Sequence, residues 1–411
     1  MKHRSTIWLI LSLCILFIGL LTRQGPIILI SASLALVEIL TITWERYGLS
    51  RVNYQRKLSA SRVFCGEEFQ LEVEISNRKP LPLPWIQIED EIPEYISLLT
   101  GRASPSSSPG RMEITHLFPL MWYEKVTRRY RFSCPRRGFY SLGPARIITG
   151  DLLGLAAAET KYLKSDDLII FPKIVPLEDL GIPSAHLSGE VLTRKRVFED
   201  PILTIGTREY QSGDSLKRIH WKSSARTGQL QTRIFEPSTT MDMGIFLDVR
   251  TTTPPMFGTI PRLTELAIIA AASICYHSIL KGFRVGLYVN EWRYQAREAI
   301  AIPPSLHPDQ LPQILENLAK IDPAPNESMP MSALVLREGT NLPWGSTVVV
   351  ISAMPTEGLL SSLNQVRKAG RMVALVVVGG LDLPLGKDDL NVYRIPDNLS
   401  WEELTTISLQ K

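Results

Sequence analysis

Hydrophobic and polar positions fall into three successive patterns along the chain. From Thr6 to Thr22 the residues are almost wholly apolar (TIWLILSLCILFIGLLT), Arg23-Gln24-Gly25 interrupt, and Pro26–Trp44 is apolar again apart from Glu38. Each run has about the length that crosses roughly 30 Å of hydrocarbon. The pattern predicts a transmembrane helical hairpin over residues 1–45, with spans over about 6–22 and 26–44. A secretory signal would end in a small-residue cleavage site, whereas here a second apolar run follows almost at once.

Residues 50–172 change period. Phe69, Leu71, Val73 and Ile75 alternate with Gln70, Glu72, Glu74 and Ser76, the period of two that marks a half-buried strand. Further strands are expected at 85–88, 114–117, 126–132 and 145–149. Pro80, Pro82, Pro84, the Gly/Ser/Pro loop 101–110, Pro135 and Gly138 punctuate them, which predicts an antiparallel β-sandwich.

From residue 241 onward, short continuous apolar runs (241–247, 285–289, 347–351, 372–378) alternate with helical spacing (261–281, 309–321, 356–369, and 401–408 at the end). Strands buried on both faces and interleaved with helices define an α/β doubly wound domain over 241–411. Ligands on such sheets bind at the carboxyl ends of the strands, where Asp248 and Ser352 fall. Residues 173–240 are left as a linking segment.

Composition and charge narrow the picture. The net charge is +4, too modest to argue for nucleic acid. Residues 191–240 hold nine Lys/Arg against five Asp/Glu, and 241–411 fourteen against seventeen. Cys14, Cys65, Cys134 and Cys275 make no CxxC pair, so they read as isolated thiols in a reducing compartment rather than a zinc or disulfide framework. Lys2, Arg4, Arg46, Arg51, Arg56 and Lys57 flank the hairpin, against Arg23 in its turn. The positive-inside bias therefore puts both termini and the soluble domains in the cytoplasm, on a two-span membrane protein. Glu38 inside the second span could mark a transport path, but it stands alone, near the span's end.

The densest chemistry lies in 208–226, REYQSGDSLKRIHWKSSAR. Gly213-Asp214 predicts a turn, with Asp214 capping a helix from about Ser215 to Arg226 and Gly228 stopping it. Arg208, Tyr210, Gly213, Asp214, Arg218, His220, Trp221, Ser224 and Arg226 are the candidate residues, serving an interdomain joint, a docking surface, or both. A serine triad needs three groups converging from separate elements. Asp214, His220, Ser223 and Ser224 are crowded on one segment, and no G-x-S-x-G elbow occurs anywhere. A Cys134–His116 pairing has no local support. The stretch 380–388 (GLDLPLGKD) fails the phosphate-loop pattern, having Asp388 where Ser or Thr is needed.

Pro-Leu-Pro-Trp at 82–85, Arg-Arg-Gly-Phe-Tyr at 136–140, Gly-Asp-Leu-Leu-Gly-Leu at 150–155 and the 208–226 segment occur in the order seen in the domain-of-unknown-function 58 family, which the chain resembles. The resemblance implies a von Willebrand factor A (vWA)-like C-terminal domain. It also implies association with a MoxR-type AAA+ ATPase, hence a non-enzymatic scaffold or adaptor working through protein–protein interaction. A vWA metal site uses Asp-x-Ser-x-Ser after the first strand; here the residues are Asp248-Val249-Arg250-Thr251-Thr252. Arg250 stands where a hydroxyl is wanted, and Ser352-Ala353-Met354 lacks the second acid. Asp248, Thr252 and Ser352 remain as a remnant able to offer oxygens to magnesium; otherwise no cofactor is expected. The rival reading is a hydrolase or metal-dependent enzyme using His220 or Asp248.

Overall fold

The apolar runs at the N-terminus form helices α1 (Lys2–Thr22) and α2 (Gly25–Tyr47) in the computed structural model. It describes residues 2–155, 157–182, 199–237, 242–252, 259–292, 299–322, 329–380, 390–396, 398–402, 404 and 406. The two helices pack on each other. A Cβ added at Gly19 would meet Ile27 Cγ2 at 3.0 Å, the close approach that small residues permit between membrane helices. Ile10, Phe17, Leu21, Leu29 and Leu36 lie exposed on their surfaces, which marks them as candidate membrane helices.

The chain forms two compact units, Met1–Ile170 and Phe171–Lys411. In the first, after α2, come β1 (Val52–Leu58), β2 (Arg62–Phe64), β3 (Glu68–Asn77), β4 (Leu83–Pro93), β5 (Ser97–Leu98) and β6 (Ser104–Pro105). They continue with β7 (Arg111–Leu120), β8 (Lys125–Ser133), β9 (Gly138–Leu142), β10 (Ala145–Gly150), β11 (Ala157–Tyr162) and β12 (Asp166–Phe171). The sheets run β1-β3-β8-β5, β11-β10-β4-β7-β6 and β2-β12-β9, with antiparallel pairing in the first two and between β9 and β12. Phe69, Leu71, Val73 and Ile75 point into the core with at most 2% exposure except Val73 at 3%, so the period-two pattern named the inward face correctly. Arg56 of β1 and Asp90 of β4, both buried, meet at 2.8 Å, showing that the first two sheets face one another.

In the second unit a 3-10 turn (Leu177–Leu180) precedes β13 (Glu199–Glu209), which pairs antiparallel to β14 (Gln231–Pro237), with helix α3 (Trp221–Thr227) between them. The α/β part then holds β15 (Asp242–Leu247), α4 (Pro261–Leu280), β16 (Arg284–Trp292), β17 (Ala299–Ser305), α5 (Gln310–Ala319) and α6 (Met331–Gly339). It ends with β18 (Thr347–Ser352), α7 (Glu357–Lys368), β19 (Met372–Val378) and β20 (Asn391–Ile395). The sheet order is β17-β16-β15-β18-β19-β20, parallel throughout except for the antiparallel edge strand β17. β15 and β18 are buried along their whole length. Phe246, Val348, Val350, Leu375 and Val377 form one core with Met331 and Leu334 of α6 and with Leu359 and Leu363 of α7.

Two element expectations change. The helix expected over 215–226 is broken. A 3-10 turn covers Leu216–Arg218, and Ile219 then becomes extended and bridges Thr232, so strand pairing captures the chain before α3 starts at Trp221. The expected helix at 401–408 does not form in its described part. Trp401 and Glu402 lie in a turn, and the carbonyls of Trp401, Glu402 and Leu404 accept from Lys173 Nζ at 3.2, 2.9 and 3.1 Å instead of from helical N–H groups. The phosphate-loop comparison at 380–388 lies almost wholly outside the described residues.

Candidate functional site

The 208–226 segment is a hydrogen-bonded insert on the β13–β14 ribbon. Asp214 does not cap a helix. Its carboxylate accepts from Arg208 Nη2 at 2.7 Å, the Gln211 N–H at 3.0 Å and the Thr232 hydroxyl at 3.3 Å. The Gln211 N–H, followed by Arg208, holds this carboxyl below its ordinary value. Gly213 supplies the turn at φ +113°, a conformation that favours glycine. The cap belongs to His220, whose Nδ1 accepts from the Ser223 N–H at 3.0 Å, leaving the neutral ring's proton on Nε2. Ser224 Oγ donates to the His220 carbonyl at 3.1 Å and accepts from the Gln231 N–H at 2.9 Å, which ties α3 to β14. Gly228 ends the helix at φ +72°.

These contacts separate structural members from presented ones. Tyr210 is half-buried and its N–H bonds the Leu230 carbonyl; Ile219 is buried. By contrast Trp221 is 67% exposed, and Lys217, Arg218, Lys222 and Arg226 are exposed around it. His220 Nδ1 is taken by the Ser223 N–H, Ser224 Oγ by the His220 carbonyl and the Gln231 N–H, and the Asp214 carboxylate by Arg208, Gln211 and Thr232, so these contacts are not those of a serine triad. His116 stacks on Tyr130, its Nδ1 2.9 Å from the Tyr130 hydroxyl. Burial pushes the Cys134 thiol up to about 12.

The second candidate lies at the switch point of the α/β sheet, between β15 and β18, where the strand order reverses. Asp248 follows β15 and is 2% exposed. Its carboxylate accepts from Asn290 Nδ2 at 2.7 Å, Ser352 Oγ at 2.9 Å and the Arg250 N–H at 3.1 Å, with Arg250 Nε at 3.4 Å. Sequence reading found Asp248 and Ser352. It missed Asn290, whose side chain also accepts from the Val249 N–H and donates to the Met329 carbonyl. No local motif signals Asn290; only the β15–β16 pairing brings it there. Thr251, not Thr252, is the buried hydroxyl of that loop, and it accepts from the Ile260 N–H at 2.6 Å. Among the described residues no group of three His, Cys, Asp or Glu side chains is placed to hold a metal.

An apolar helix pair, a layered antiparallel β unit and a doubly wound α/β unit make up the protein. Residues 206–404, the insert and nearly all of the α/β part, match the family described as Protein of unknown function DUF58. The uncharacterised protein YeaD of Bacillus subtilis is 26% identical over 204 residues, 49% of this chain and 49% of that protein, so the chain matches about half of its length. A cohesin module from a Clostridium perfringens family 33 glycoside hydrolase covers 29% of this chain and 96% of its own, at 14% identity and TM-score 0.21. A cohesin from Archaeoglobus fulgidus covers 29% and 91% at 12% identity and TM-score 0.21. Structural likeness this slight carries nothing about function.

Proposed function

We propose that the protein is a non-enzymatic, membrane-anchored scaffold whose cytoplasmic vWA-like domain docks a MoxR-type AAA+ ATPase. The helices α1 and α2 are its anchor, and the flanking basic residues orient it. The central first strand, the antiparallel edge strand and an acidic residue at the switch point support the vWA-like reading. The guanidinium of Arg250 beside Asp248 supplies the positive charge a cation would bring, so the domain works without a bound ion.

The observation that carries the docking role is Trp221, an exposed indole among Lys217, Lys222 and Arg226 on an insert rigidified by its own hydrogen bonds. Exposed aromatic and arginine side chains on a preorganised frame are the usual anchors of interfaces. The partner implied is acidic and apolar at its contact. Pull-down of the full chain from detergent extracts should recover an AAA+ ATPase. Trp221→Ala and Arg226→Glu should each reduce that recovery at least several-fold while the melting temperature stays unchanged. Unchanged recovery with both variants folded would overturn the docking role.

A further inference from the structure

One end of the β unit gathers loops that the adaptor reading does not use. The strand register shows which they are. Val52 pairs with Asn77, Ser76 with Lys125, Leu83 with Leu120, and Thr149 with Ile86. The β3–β4, β7–β8 and β10–β11 connections therefore emerge together, at the end where α2 hands the chain to β1.

Two of these connections, β3–β4 and β10–β11, also touch the end of α2 or the residues just after it. Lys79 Nζ donates to the Gly48 and Ser50 carbonyls at 2.7 and 2.8 Å. The Trp44 indole N–H donates to the Pro82 carbonyl at 2.9 Å. Thr41 Oγ1 donates to the Asp151 carboxylate at 3.0 Å, and Asp151 is itself 3% exposed. The third connection is held by Asn77, whose Nδ2 donates to the carbonyls of Leu81 and Met121, both at 2.9 Å.

Around this base the side chains are bare and apolar. In the β10–β11 connection Leu152, Leu153 and Leu155 are 73, 62 and 63% exposed; in the β7–β8 turn Met121, Trp122 and Tyr123 are 48, 58 and 68% exposed. So concentrated an apolar rim on a globular unit marks an interaction surface. Its height identifies the occupant. Thr41 lies three residues inside the apolar run that ends at Trp44, about 5 Å along a helix rising 1.5 Å per residue. A bilayer deep enough to cover that run therefore reaches the Asp151 loop. Trp and Tyr are the side chains favoured at that level. Exposed Arg46, Arg51 and Arg78 lie near the same end, where anionic headgroups attract cations.

We propose that this end of the β unit is seated in the bilayer interface. The leucines of 152–155 and the Met-Trp-Tyr turn would enter the headgroup–acyl boundary, so that the domain is held against the membrane rather than tethered to it. The surface adjoins the end of α2, and the proposal rests on α1 and α2 being inserted. The test uses the full chain in anionic lipid nanodiscs with Cys14→Ser, the other cysteines being buried. Nitroxide labels are placed at Trp122→Cys and Leu153→Cys. Leu20→Cys on α1 serves as the lipid control, and Leu99→Cys, in the connection at the opposite end of the strands, as the water control. Labels at 122 and 153 should collide several-fold less with a water-soluble nickel chelate than the label at 99, and more with oxygen. If 122 and 153 behave like 99 while 20 is lipid-like, the seating is wrong and the anchor stands; another protein would then be what covers the rim. If 20 itself is water-like, the anchor fails and the seating with it.

Discussion

Asp90 and Asp248 are both buried carboxylates paired with an arginine, yet one lies in mid-core and the other at a site. Asp90 sits within β4 and takes the Tyr54 hydroxyl and Arg56 Nη1, while Arg56 Nε faces Asp166 at 3.1 Å. The side chain of Arg56 is 0% exposed. Burial pushes the Asp90 carboxyl up, while Arg56 and the Tyr54 hydroxyl pull it the other way. Asp248 sits just past the end of a parallel strand, its other side-chain partners are neutral, and Arg250 is 24% exposed. Burial of an acid alone does not mark a functional position. What distinguishes Asp248 is a cationic partner with a path to solvent, at the end of a sheet where ligands are bound.

The largest test of that contrast is Arg56→Met. It strands Asp90 in the core and should cost about 3–5 kcal/mol, as breaking a buried ion pair does, read from denaturant unfolding of the full chain in detergent. A loss below about 1 kcal/mol would mean that the sandwich centre is not held by this pair. Asp248→Ala comes next. Asn290 Nδ2 and Ser352 Oγ lose their acceptor, and the expected cost is about 1–3 kcal/mol, that of leaving buried donors unmet. Arg250→Ala should cost less, about 1 kcal/mol or under for a partly exposed pair. It should also reveal weak magnesium heat in calorimetry that disappears with Asp248→Ala; equal heat in wild type would show that Arg250 does not exclude a cation. The smallest effect concerns pH. Burial, and then Arg128, push His116 down to about 4. The folded state then binds fewer protons than the unfolded one between that value and the ordinary 6.5. Stability should fall as pH drops through this window, and His116→Gln should flatten the part of the fall that wild type shows beyond its carboxylates.

The helices and central strands were legible because their periods are enforced by burial. Residues 69–75 alternate since only one face meets the core, and 347–351 and 372–378 are continuous since both faces do. The β13–β14 ribbon, within residues 173–240, was not. Its two strands are separated by the whole 210–230 insert, and pairing across that distance leaves no local pattern. The helix starts later than expected because Ile219 is drawn into a bridge with Thr232, while Arg208 and the Gln211 N–H take the Asp214 carboxylate and His220 caps α3 instead. Helix α6 was missed because Pro330 and a short apolar stretch give little period to read. At the switch point, Asp248 and Ser352 followed from strand ends, whereas Asn290 depends on which strand lies next to β15.

Helix α4 is, with α2, one of two described helices long and apolar enough to cross a membrane, although most of its surface is covered by its own unit. The insertion machinery selects spans by just this kind of stretch. If α1 and α2 anchor the chain as proposed, α4 leaves the ribosome close to a bilayer, with β15 made before it and β16, β18 and β19 still to come. Its correct fate depends on a race between the sheet and the lipid, so slow folding of the C-terminal unit carries a topological hazard as well as an aggregation one.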